Sequence, residues 1–322
     1  MYLQVLVIFT FFLTACQTSD FGLVTRDEHK EAVSKDKDSK VETKDESLDQ
    51  KHVNKNKLFN TSGNEENVRP KVGLILGPGL SYTMAHLGAL KAINDQKIPI
   101  HAISGMEWSS LIAANYAING AINDMRWKAF QGSFAGAVST GLLSGGVKET
   151  DEDVYQSLID QYTRGRSIAQ SKIPFFCPAI QIVKGKSVVV KSGSYAQALR
   201  SCMKVPPLAQ REVSTWAYLL EVRDLIQNMK ASGVQKIVFI NAIPTSGLNW
   251  GKAASSVEAR DKLFWAQVIN SLNVKSLGVD HILNLSTEGH SALDFKNVRR
   301  MIESSEEKSQ DYFARFARTY SF

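Results

Sequence analysis

Between His101 and Ala117 the chain reads HAISGMEWSSLIAANYA. An apolar run ends at Gly105, and a helix-like apolar segment starts almost at once. Strand–turn–helix passages of this kind present a nucleophile when the turn reads Gly-x-Ser-x-Gly. Here the turn holds Gly105, Met106, Glu107, Trp108 and Ser109, so a carboxylate stands at the central place. A carboxylate can attack a substrate and form an ester or anhydride intermediate. On a carboxylic ester that attack gives a mixed anhydride, which still needs a base to activate water. Ser109 and Ser110 follow two and three places later, inside the first helical turn. Successive helical side chains diverge by about 100°, so neither points where Glu107 points. The bland role for Glu107 is a cap at the helix N-terminus, where the dipole and unpaired N–H groups stabilise a carboxylate by about 0.3–1 kcal/mol. Trp108 then adds bulk and closes the pocket. The residues favour this last reading.

The turn needs a scaffold, and the surrounding sequence supplies the pattern of one. VGLIL (Val72–Leu76) is a short continuous apolar run ending in Gly77-Pro78-Gly79. Apolar residues then recur at Met84, Leu87, Leu90 and Ile93, near helical spacing. IPIHAIS, PFFCPAIQIV, KSVVVKSG, KIVFINAIP and VDHILNLST read as further strands. SYAQALRSCMK, LLEVRDLIQNMKASG, SSVEARDKLFWAQVINSLNVKSLG and FKNVRRMIESSEEKSQDYFARFA read as helices. Buried strands alternating with long helices predict an α/β three-layer sandwich with a largely parallel central sheet. One domain is expected over 71–322.

The passage from Val72 also has the outline of a dinucleotide loop, a strand entering Gly-x-Gly and then a helix. Tyr82 stands where the third glycine belongs, and no acidic strand end follows at the required distance. No nucleotide cofactor is expected. The six histidines show no metal-ligand spacing, so no metal is expected either.

VGLILGPGLSYTMAHLGALKAINDQKIPIHAISGMEWSSLIAANYA resembles the opening of the patatin-like phospholipases. Ala85-His86-Leu87-Gly88-Ala89-Leu90-Lys91-Ala92-Ile93 matches that family's A-H-x-G-x-L-x-A-L segment, and the later strands and helices resemble its middle and closing sections. The resemblance covers nearly everything after Lys71 and implies a patatin-like fold. It also implies a serine nucleophile at the elbow, an aspartate base in a D-G-G or D-G-A motif, and a glycine-rich loop whose N–H groups bind the oxyanion. Carried over by position, the serine falls on Glu107 and the aspartate on or beside Val213, with Glu212 as a substitute acid. The oxyanion-loop remnant is Gly77, Gly79 and Leu80. Proline at 78 has no N–H to give, and Leu80 is expected to resist a positive φ. Trp108 and Ser109 are candidate residues of a remodelled pocket.

The N-terminus carries a different resemblance. MYLQVLVIFTFFLTAC is too short to serve as a stable transmembrane span and suits a signal-peptide core. Leu13-Thr14-Ala15-Cys16 resembles the lipobox of bacterial lipoproteins, which implies lipidation at Cys16. Gln17, where an inner-membrane retention signal would have Asp, implies the outer membrane. The expected segments are therefore 1–15 (signal peptide), 16–70 (lipidated cysteine and polar tether) and 71–322. The tether is dense in Lys, Asp, Glu, Ser and Asn and cannot bury enough surface to offset its ordering entropy. The net charge of +6 over 322 residues comes with no basic stripe, so nucleic acid is not an expected partner. Cys177 and Cys202 sit in apolar contexts typical of buried free thiols, while an oxidising compartment would let them pair.

The expectation is a lipid-anchored envelope protein whose patatin-like domain has lost its Ser–Asp dyad and binds a lipid, acyl group or protein partner. The competing reading is an active lipid acyl hydrolase using a displaced set such as Glu107 with Glu212.

Overall fold

In a computed structural model the described residues are 69–137, 151–209, 215–217, 222–272 and 278–322. Cys16, the signal-peptide segment, the tether as far as residue 68, Glu212 and Val213 lie outside them. The described residues belong to one compact unit, Asn64–Phe322.

Seven strands form one sheet: β1 (Val72–Leu76), β2 (Ile100–Gly105), β3 (Phe175–Gln181), β4 (Lys186–Val190), β5 (Thr215–Ala217), β6 (Lys236–Asn241) and β7 (His281–Asn284). The order is β4-β3-β2-β1-β6-β7, with β5 also pairing β3. β1, β2, β6, β7 and the start of β3 run parallel. β4 and β5 are antiparallel to β3. The α/β sandwich with a mostly parallel sheet is thus the observed architecture, with helices on both faces. β1 is central, and all five of its residues are buried, as a strand covered on both faces requires.

The helices are α1 (His86–Asp95), α2 (Ser109–Asn119), α3 (Asn123–Phe130), α4 (Glu152–Thr163), α5 (Tyr195–Cys202), α6 (Arg223–Ala231), α7 (Ala259–Ser271) and α8 (Arg299–Thr319). A six-residue 3₁₀ turn, Leu80–Ala85, leads into α1. α8 turns one stripe inward, with Met301, Ile302, Ser305, Phe313 and Phe316 buried, and packs on α1 at Gly88. A Cβ on Gly88 would lie 2.3 Å from the Ile302 carbonyl oxygen, so this contact needs glycine. Among the described residues no helix is long and apolar enough to cross a membrane.

Cys177 of β3 and Cys202 at the end of α5 form a disulfide, with their Cα atoms 6.0 Å apart. Of the two states left open by the sequence, buried free thiols or a pair, the structure has the pair. Their apolar surroundings report burial alone, and the partner comes from the sheet-to-helix packing. The crosslink closes a sequence separation of 25 residues, for which chain-entropy arguments give about 3.5 kcal/mol. The paired change Cys177→Ala and Cys202→Ala should lower the unfolding free energy by about 3 kcal/mol in denaturant titrations.

Candidate active site

The turn between β2 and α2 is built around an approach that only glycine permits. A Cβ on Gly105 would sit 2.3 Å from the Ser109 carbonyl oxygen. The chain then reverses through Glu107, whose φ is 61°, a left-handed conformation rare for a residue with a side chain. The Ser109 hydroxyl lies 2.7 Å from the carbonyl oxygens of both Leu76 and Met106, and it accepts from the Met106 N–H at 2.8 Å. Ser110 donates to the Gly105 carbonyl at 2.9 Å. Both serines are spent on holding the turn.

Facing the turn is the loop after β1. Glu107 Oε2 accepts hydrogen bonds from the backbone N–H groups of Gly79 at 3.1 Å and Leu80 at 3.0 Å. Trp108, the N-cap residue of α2, makes no side-chain cap hydrogen bond. The Glu107 carboxyl, expected as a plain helix cap, draws on the Trp108 N–H and on the two loop N–H groups together. The left-handed backbone at Glu107 swings the carboxyl across to the neighbouring loop. Leu80 corrects a second expectation, for it adopts φ 55°. Thr83 donates to its carbonyl at 2.6 Å, and its side chain is fully buried, so its surroundings impose the conformation. Of the remnant residues, Gly79 and Leu80 offer their N–H groups to Glu107. The Gly77 N–H is committed to the Ile240 carbonyl at 2.9 Å.

Two distant segments clamp the same loop. Ser81 N–H donates to the Ala292 carbonyl at 2.9 Å, and its hydroxyl to the Ser291 carbonyl at 2.7 Å. The Tyr82 hydroxyl donates to the His290 carbonyl and accepts from the Asn249 N–H, both at 3.0 Å. Trp108 is 0% exposed, its ring centroid 4.9 Å from that of Phe295 and 5.4 Å from that of Tyr155. Trp108 and Ser109, expected at a pocket, are both buried: Phe295 of the β7–α8 segment lies on Trp108, and Ser109 is held by Leu76 and Met106. A sequence gives no local signal for these clamps, because Asn249 and His290–Phe295 reach the loop only through the fold.

Glu107 is wholly buried, and burial pushes its carboxyl up to about 8, against the lowering pull of the N–H groups of Gly79, Leu80 and Trp108. Its Oε1 is buried with no hydrogen-bond partner among the described residues. His86 is also wholly buried, and burial drives it down to about 4. Its Nε2 donates to the Gly77 carbonyl at 2.9 Å, the place of a neutral packed imidazole. Among the described residues no cluster of His, Cys, Asp and Glu could hold a metal.

These elements define a sheet-borne elbow facing a backbone N–H pair, with a carboxyl where a nucleophile and an oxyanion would meet. No family model matches the chain. It is 28% identical over 145 residues to lysophospholipase NTE1 of Mycosarcoma maydis, covering 42% of this chain and 8% of that protein. It is 28% identical over 148 residues to lysophospholipase nte1 of Aspergillus fumigatus, covering 42% and 10%. The chain thus spans a tenth or less of the length of these curated relatives. A solved structure, full-length SpcU with full-length ExoU from the type III secretion system of Pseudomonas aeruginosa, matches with a TM-score of 0.38 and 12% identity. That match covers 76% of this chain and 52% of that one. The similarity to the lysophospholipases supports the patatin-like resemblance.

Proposed function

We propose that this chain is a non-catalytic, patatin-like module of the bacterial envelope, anchored through lipid on Cys16 and acting by binding a lipid or protein. The observation that carries the reading is the Glu107 carboxyl on the N–H groups of Gly79 and Leu80. An oxyanion site works by presenting such donors, unoccupied, to charge that develops on the substrate. Here the protein's own side chain fills them. Substrate access is closed as well, with Trp108, Tyr155 and Phe295 at 0–1% exposure. The similarity to lysophospholipases supports a lipid-related role. The Cys177–Cys202 disulfide supports an oxidising compartment, and the lipobox resemblance supports the anchor.

The competing hydrolase reading asks Glu107 to attack an ester. A carboxyl with its pKa near 8 is mostly protonated at neutral pH and is then a poor nucleophile. The purified protein, offered p-nitrophenyl esters and phospholipids, should show no turnover above that of a heat-denatured control. Turnover that disappears in Glu107→Gln would establish the hydrolase instead.

A further inference from the structure

The β3–β4 hairpin carries a feature that the elbow does not use. Its tip holds Ile182 at 42% and Val183 at 92% exposure, followed by exposed Lys184 and Lys186. Single exposed apolar residues are ordinary. Two adjacent β-branched residues at a turn are not what turn chemistry selects, since Asn, Asp, Ser and Gly serve the backbone better there. Here Gly185, at φ 58°, closes the turn, so Ile182 and Val183 are not needed to make it.

Strand register fixes where the tip points. Ile103 pairs with Phe175 and Ser104 with Phe176 in parallel, so β3 continues past the end of β2 by Pro178–Gln181, about 13 Å at strand rise. The tip therefore projects from the C-terminal end of the parallel strands, the end that bears the Glu107 turn. Half-buried Trp250 and exposed Lys252, on the loop that follows β6, leave the sheet at the same end. Aromatic residues beside lysines suit the headgroup layer of a bilayer, and lysines are drawn to anionic lipid.

We propose that this end of the molecule docks on an anionic phospholipid surface, with Ile182 and Val183 entering the acyl boundary and Lys184 and Lys186 engaging the phosphates. Docking is a contact separate from any lipid on Cys16, and it holds whether or not the elbow is catalytic. One weak contact gives only marginal membrane binding and two signals give a stable one, so the hairpin would fix how a tethered domain faces its membrane.

The test attaches an environment-sensitive fluorophore to the full-length protein through Val183→Cys, with Leu263→Cys on α7 as a second label site of 60% exposure. With phosphatidylethanolamine–phosphatidylglycerol vesicles, the label at 183 should shift to the blue and become shielded from aqueous iodide, and the label at 263 should not. Adding Lys184→Glu and Lys186→Glu should raise the lipid concentration needed for half of the shift by on the order of tenfold. No shift at 183 would overturn the proposal, and would leave the tip to a protein partner. Equal shifts at 183 and 263, or indifference to the lysine reversals, would overturn it too.

Discussion

The unfolding free energy of the wild-type protein, measured against that of Glu107→Gln, should fall by about 5 kcal/mol as pH rises from about 4.5 to about 8. Glu107 is buried with its carboxyl raised from 4.5 to about 8, so the folded chain holds a proton that the unfolded chain releases. The associated stability is complete below pH 4.5 and is lost as pH climbs through 8. Glutamine keeps an oxygen to accept from Gly79 and Leu80 but has no proton to lose, so the difference isolates one group. His86 works in the opposite sense. Its value drops from 6.5 to about 4, so its contribution is present above pH 6.5 and is lost as pH falls toward 4, by about 3 kcal/mol. The two slopes nearly cancel between pH 4.5 and 6.5, leaving the wild type to decline from these groups above pH 6.5. Glu107→Gln should lose that decline and keep the acid-side loss. Denaturant titrations across this range read both. A flat difference would mean that the carboxyl is solvated.

Trp108→Ala should cost about 3–5 kcal/mol. The indole is fully buried between Tyr155 and Phe295, and those rings come from α4 and the β7–α8 segment, so collapse into the void would have to move two elements. Trp108→Phe keeps part of the aromatic contact and should lose less than half as much. A Trp108→Ala cost below about 1 kcal/mol, the range of surface changes, would place the indole on a mobile lid and reopen the case for a pocket.

Much of the scaffold was legible in the residues. VGLIL, KIVFINAIP and the terminal amphipathic segment read as β1, β6 and α8 because continuous apolar runs and 3.6-residue stripes are local signals. α4, which the strand-and-helix reading does not include, carries local signals of the same kind: Asp151 caps it through the Asp153 N–H, and Tyr155, Leu158, Ile159 and Tyr162 form its buried stripe. α3 gave little to read, since only Met125 and Ala129 are buried along it and Trp127 is exposed. The elbow was legible from Gly105 onward. The destination of its carboxyl was not, because that depends on left-handed backbone at Glu107 and Leu80 and on a loop held by residues some two hundred positions away. The disulfide was hidden for the same reason.

The hydrogen bonds from Gly79 and Leu80 to Glu107 are what fill the donor pair at the elbow. Amide NMR resonances of those two residues, compared between wild type and Glu107→Ala at matched pH, test them directly. In the wild type both protons should resonate downfield and exchange slowly with solvent, and in the variant both should move upfield while the Gly77 amide, bonded to Ile240, stays in place. If the Gly79 and Leu80 amides are unmoved by the substitution, the donor pair is empty and stands available to a substrate, and the silent elbow is wrong.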